Sequence, residues 1–183
     1  MSYELHLIRV RPGEDPLTAA RDRLDRPVEM ELNPGPAVES IEEEKGRLAA
    51  GLVRFNPALQ VASFDYSRLA EAQEIDEREA RRRYRHIELN SDDYSGIQIT
   101  LFDEQAELIF PYWHSGEQAR SVLQQVWDYL EVLQTWGSFV TYDPQLDRML
   151  NLEVDFEPVL VYVDGGSNST YENAQYDLLE REL

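Results

Sequence analysis

Apolar and polar residues alternate from the start of the chain. Tyr3, Leu5 and Leu7, with Arg9, fall on one side and His6 and Ile8 on the other, which predicts a strand over 3–10. A turn at Pro12-Gly13 follows. Asp15-Pro16 has the form of a helix N-cap with proline at the first helical position, so a short helix is expected through Leu24, ending before Pro27. Pro27, Pro34, Gly35 and Pro36 mark 27–37 as a loop. Ser40 and Glu43 have capping-box spacing and open a second helix with Ile41, Leu48 and Leu52 on one side, which Gly46 and Gly51 weaken. Residues 58–64 read as a short strand.

Helix formers dominate 67–85. Asp76 and Glu79 repeat the capping-box spacing, and Arg81-Arg82-Arg83-Tyr84-Arg85 closes that helix, where cations offset the partial negative charge of a C-terminal end. Three strands over 86–90, 97–102 and 106–110, joined by the turns 91–96 and 103–105, form an antiparallel meander. The longest helix is predicted over about 116–136. Ser115 and Gln118 are a capping box there, Gly137 is the terminator, and Ala119, Val122, Leu123, Val126, Leu130 and Leu133 form the buried stripe. Two more strands are predicted, at 139–142 and at Pro158–Val163. The polar stretch from about 165 to 183 reads as loosely attached. The expected fold is a single α+β domain over 1–183. Its antiparallel or mixed sheet has about five to six strands, with the long helix packed on one face.

Composition narrows the chemistry. At 183 residues the chain can bury about 70% of the surface it exposes when unfolded, so a core forms without staples. The absence of cysteine excludes disulfides, thiol catalysis and cysteine-ligated metals. No secretory leader is read in 1–20 and no run of 18 apolar residues occurs, so a cytoplasmic location without membrane contact is expected, and the sequon Asn168-Ser169-Thr170 then has no meaning.

Net charge is −19, and it is unevenly placed. Residues 1–85 hold 17 acids and 14 bases; residues 86–183 hold 19 acids and 3 bases. Such a chain repels nucleic acid and attracts a basic partner. Acidity that serves solubility alone is the competing reading of the same charge.

Motifs of known chemistry are missing. His6, His86 and His114 stand in no metal-binding spacing, and neither a phosphate-binding glycine loop nor a G-x-S-x-G elbow is present. No metal or cofactor is expected. The carboxylate pairs Asp92-Asp93 and Asp103-Glu104 lie at turns, where carboxylates are normally solvated. Glu77 and Glu79 are placed to pair with Arg81 and Arg83, so the arginine run reads as helix-end compensation rather than a phosphate contact. Tyr112-Trp113-His114, between the meander and the long helix, is read as buried and plugging the end of the core. Exposed, it would be a binding spot, together with Asp92, Asp93 and Tyr94 of the neighbouring turn.

Met1-Ser2-Tyr3-Glu4-Leu5-His6-Leu7 and Leu133-Gln134-Thr135-Trp136-Gly137-Ser138-Phe139-Val140-Thr141-Tyr142-Asp143-Pro144-Gln145 resemble segments of small uncharacterised bacterial proteins, some of them similar to the immunity proteins of bacterial toxin systems. The segments cover about a tenth of the chain and carry no catalytic residue. The resemblance implies a compact α+β protein that acts by binding.

Three functional readings follow. The first is an acidic protein-binding module, of the immunity type, that inhibits a basic partner through Asp92, Asp93, Tyr94, Tyr112, Trp113 and His114. The second is a hydrolase using carboxylates with His86 or His114. The third is a homo-oligomeric structural component.

Overall fold

The computed structural model describes residues 2–24 and 38–165. The loop reading of 27–37, the sequon and the C-terminal segment beyond 165 lie outside the described residues. The fold is α+β. Its sheet has seven strands: β1 (Ser2–Ile8), β2 (Leu59–Val61), β3 (Ile87–Ser91), β4 (Gln98–Leu101), β5 (Gln105–Pro111), β6 (Val140–Asp143) and β7 (Arg148–Met149). They pair antiparallel throughout, in the order β2-β3-β4-β5-β1-β6-β7. Both edge strands are very short, which limits pairing with a second sheet.

The helices among the described residues are α1 (Pro16–Leu24), α2 (Val38–Phe55), α3 (Tyr66–Ala72), α4 (Glu77–Arg83), α5 (Gly116–Gly137) and α6, over 156–165. One sheet face, carrying Tyr3, Leu5, Leu7, Leu89, Ile99, Leu108 and Phe110, packs with α2, α5 and α6 in one core. The stripe expected on α5 is buried in full, from Ala119 to Leu133. On the opposite face α1 packs at one end, where Ala20 meets Ile8 and Tyr142.

Three expectations change. The apolar run Pro158–Val163 is helical rather than a strand. Its buried positions are Val159, Leu160 and Val163, with Phe156 packed beside them, which is helical and not alternating spacing. Pro158 sits in the first turn, where no intrahelical N–H is required. The single helix expected over 67–85 is two, because Glu74 takes a left-handed conformation (φ 53°) and Asp76 restarts the chain by accepting from the Glu79 amide at 2.8 Å. Ser40 lies inside the first turn of α2 rather than capping it.

The long helix is also closed differently. Ser115 is its N-cap by position but makes no side-chain cap bond; the Gly116 amide donates instead to Asp164 Oδ1 at 2.9 Å. Gly137 is the last helical residue, and Ser138 (φ 55°, ψ 33°) takes the left-handed turn that ends it. A Cβ at Gly137 would lie 2.5 Å from the buried ring of Phe139. Gly137→Ala should therefore destabilise the fold by about 1–3 kcal/mol despite alanine's better helix propensity. Urea unfolding reads this, and a variant as stable as the parent would mean that Phe139 moves aside freely.

The two segments of the resemblance meet in the fold. β1 pairs with β6, and the Tyr3 hydroxyl donates to Asp143 Oδ2 in the interior. Asp143 Oδ1 accepts from the Gln145 and Leu146 amides at 2.9 and 3.0 Å. The Tyr-Asp-Pro-Gln turn is thus a structural latch on the first strand.

The sheet face opposite the main core carries Glu4, His6 and Glu107, with His6 Nδ1 3.6 Å from Glu107 Oε1. Burial, and then the neighbouring Glu4, push the Glu107 carboxyl above its ordinary range; burial pulls His6 below its own. A raised carboxyl contributes stability that is present below its unfolded pKa and lost as pH rises through its folded pKa. Glu107→Gln removes that loss. It should be more stable than the parent at neutral pH, with the difference closing below the ordinary carboxylate range. Parallel urea titrations at pH 7 and in acid check the sign, and a variant less stable at pH 7 would refute it.

Candidate functional site

The β3–β4 turn is built by short polar side chains. Asp93 Oδ1 accepts from the Ser95 amide at 2.8 Å and from the Ser95 hydroxyl, and Ser91 Oγ accepts from the Ile97 amide at 3.0 Å. Gly96 takes a left-handed φ of 66°. Ser95 is fully buried. Burial opposes ionisation of Asp93, but the hydrogen bonds from Ser95 outweigh it and hold the carboxyl below its ordinary value. A locked, ionised turn results.

Against this turn lies the segment that leaves β5. His114 is 1% exposed, and its Nε2 is 3.0 Å from the Ser95 carbonyl oxygen. A carbonyl only accepts, so Nε2 carries the proton. Nδ1 makes no hydrogen bond among the described residues. The ring is an internal strut, flanked by Tyr94 (6.3 Å between centroids) and Trp113 (5.8 Å), both in edge-on geometry. Those two flanking rings face outward, with Tyr94 57% and Trp113 62% exposed. A Cβ at Gly96 would lie 3.3 Å from the Trp113 ring, so glycine there lets the indole lie close over the turn.

The structure therefore divides the six residues singled out in the sequence. Tyr94, Trp113 and His114 come together, with Asp93 fixing the turn beneath them. Asp92 is on the same turn, exposed, and accepts from Gln60 Nε2 at 2.9 Å. Tyr112 turns the other way, onto Tyr3 (5.8 Å), where burial pushes its hydroxyl up to about 12. Burial was expected for both aromatics; it holds in part for Tyr112 and not for Trp113.

Residues of α6 join this end of the molecule and were not read from the sequence. Arg120 of α5 makes a two-pronged ion pair with Glu157 (2.7 and 2.9 Å), and the Gly116 amide is held by Asp164. Val161, 71% exposed, lies on the same α6 stripe between those two ties. The helical spacing from Phe156 to Val163 was the signal that could have placed it.

Bases are few in the second half of the chain, and those described are paired. Of the three bases after residue 85, Arg120 is held by Glu157 and Arg148 by Asp155 (2.8 Å), while Arg181 lies outside the described residues. Asp92 and Glu117 are exposed at the patch.

The histidines are badly placed for joint catalysis. His86 precedes β3 and His114 contacts the turn that follows it, so they sit at opposite ends of the β3–β4 hairpin. His86 is wedged among Phe64 (4.9 Å), Phe102 (5.4 Å) and Tyr84 (6.1 Å). Among the described residues no group of three or more His, Asp or Glu side chains could hold a metal ion, and no helix is long and apolar enough to cross a membrane. Comparison with family models, with curated proteins and with solved structures finds no match to this chain.

Proposed function

We propose that this chain is a protein-binding module that engages a basic protein through the patch headed by Trp113 and Tyr94. One observation carries the reading: two large aromatic side chains, each more than half exposed, stand side by side, Tyr94 on the hydrogen-bonded β3–β4 turn and Trp113 on the segment leaving β5, both against a buried histidine. Exposed tyrosine and tryptophan supply large contact area at little entropic cost, and they dominate interface energetics. The acids around them favour a partner rich in lysine and arginine, and steer its approach. Inhibition of a basic toxin, as by the immunity proteins that the sequence resembles, is the form of action that suits such a surface.

A photo-reactive benzophenone side chain in place of Tyr94, and separately in place of Gln98 on the opposite sheet face, tests this in extract of the source cells. The expected result is a cross-link from position 94, and not from 98, to a protein of strongly basic isoelectric point. Equal labelling from both positions, or an acidic adduct, would refute it.

A further inference from the structure

We propose that a second site, a cavity of about 420 Å³ between α2, α3, α4 and the start of β3, binds a small planar organic anion. Its walls are aromatic, formed by Phe64, Tyr66 and His86, and two guanidinium groups, Arg81 and Arg85, open into it beside Glu42. The volume lies within the range of small-molecule sites, which run from about 300 to 1,000 Å³.

The choice of an anion rests on what already fills the cavity. Arg81 stacks over the Tyr66 ring at 4.4 Å, so the face on which a ligand cation would sit is taken by a cation of the protein. Glu77 takes the Arg81 Nε and Nη2 protons, which leaves Nη1 without a hydrogen bond among the described residues. Arg85 spends Nη2 on Asp103 and reaches Glu42 only at 3.7 Å through Nε. A guanidinium offers five donors, so both groups keep donors for the oxygens of a carboxylate or phosphate.

Glu42 is the resident carboxylate. Its Oε1 lies 2.8 Å from Lys45 Nζ, yet the atom is buried and receives no well-aligned hydrogen bond. A ligand anion would compete with it for Arg85. The surroundings also favour an anion: α4 holds four arginines against two glutamates, and Arg85 follows, in a chain of net charge −19. Phe64 and His86 meet edge to face at 4.9 Å and give a flat ligand an apolar wall.

The chain has three histidines, so their ring resonances report separately on the cavity and on two distant places. Benzoate and phenyl phosphate are the anionic probes, and benzyl alcohol and benzyltrimethylammonium the neutral and cationic controls. The anions should shift His86 saturably while His6 and His114 stay still, and the controls should leave all three unmoved. The stronger of the two anions identifies the head group. Arg81→Met, which keeps the packing over Tyr66, should weaken binding about tenfold, and Glu42→Gln should tighten it. Opposite signs in two variants that keep the parent His114 resonance are not produced by partial unfolding. The proposal is overturned if neither anion shifts His86 saturably, if the ammonium binds as well as the anions, or if Arg81→Met binds like the parent.

Discussion

Asp103→Ala is expected to cost the fold about 3–5 kcal/mol, because it takes from a buried ammonium the carboxylate that accepts its hydrogen bond, and from Arg85 its closest partner. Lys45, the one lysine of the chain, is 3% exposed. Its Nζ lies 2.8 Å from Asp103 Oδ1 and donates to the Arg85 carbonyl oxygen at 2.9 Å. Asp103 Oδ2 also accepts from the Arg85 guanidinium, so one carboxylate answers two cations. Glu42 stands at ion-pair distance from Lys45, but without the geometry of a hydrogen bond it is a poor replacement. Lys45→Met should be milder, since Asp103 keeps Arg85 and the methionine fills the aliphatic path. Urea unfolding at pH 7 separates the two variants. An Asp103→Ala protein within about 1 kcal/mol of the parent would mean that water, rather than Asp103, solvates Lys45.

Trp113→Ala should remove at least about 2 kcal/mol of partner affinity, about a thirtyfold loss, while leaving stability nearly unchanged. The separation follows from exposure: the indole is 62% exposed, so truncating it uncovers little core, yet it presents a large apolar surface beside the turn. Tyr94→Ala should act in the same direction and, because both rings flank His114, less than additively. Thermal unfolding with a titration against the cross-linked partner reads both effects. A loss of affinity that tracked a loss of melting temperature would instead assign Trp113 to the fold.

The meander, the first strand and the long helix were legible because each buries one face, so period and burial agree. Ile97, Ile99 and Leu101 alternate, and Ala119 to Leu133 recur at helical spacing. The pairs Glu77–Arg81 and Glu79–Arg83 were legible for the same local reason and are present at 2.7 and 2.9 Å. The segment from Pro158 to Val163 was not. Its β-branched residues favour a strand, and the core contacts of Phe156, with Trp127 at 5.3 Å, and of Val159, Leu160 and Val163 outweigh that preference. The two-residue β7 is too short to leave a pattern.

The site was half legible. Tyr94, Trp113 and His114 stood out as a composition, but which of them would face solvent was decided by the Ser91–Gly96 turn. Its Ser95 carbonyl oxygen accepts from His114 and holds that ring in the interior, while Trp113 beside it faces out. The second cavity was hidden because its lining comes from four separate stretches, at 42, 61–66, 81 and 85–87, and because the Arg81–Arg85 run satisfies a complete local explanation on its own.

The most direct measurement is a calorimetric titration of the basic partner into the parent protein and into the Tyr94→Ala/Trp113→Ala double variant, each at low and at high salt. The expected result is affinity at least about a hundredfold weaker in the double variant, and weaker for the parent as salt rises. An unchanged affinity in the double variant, with the fold intact, would contradict a contact surface centred on these two rings.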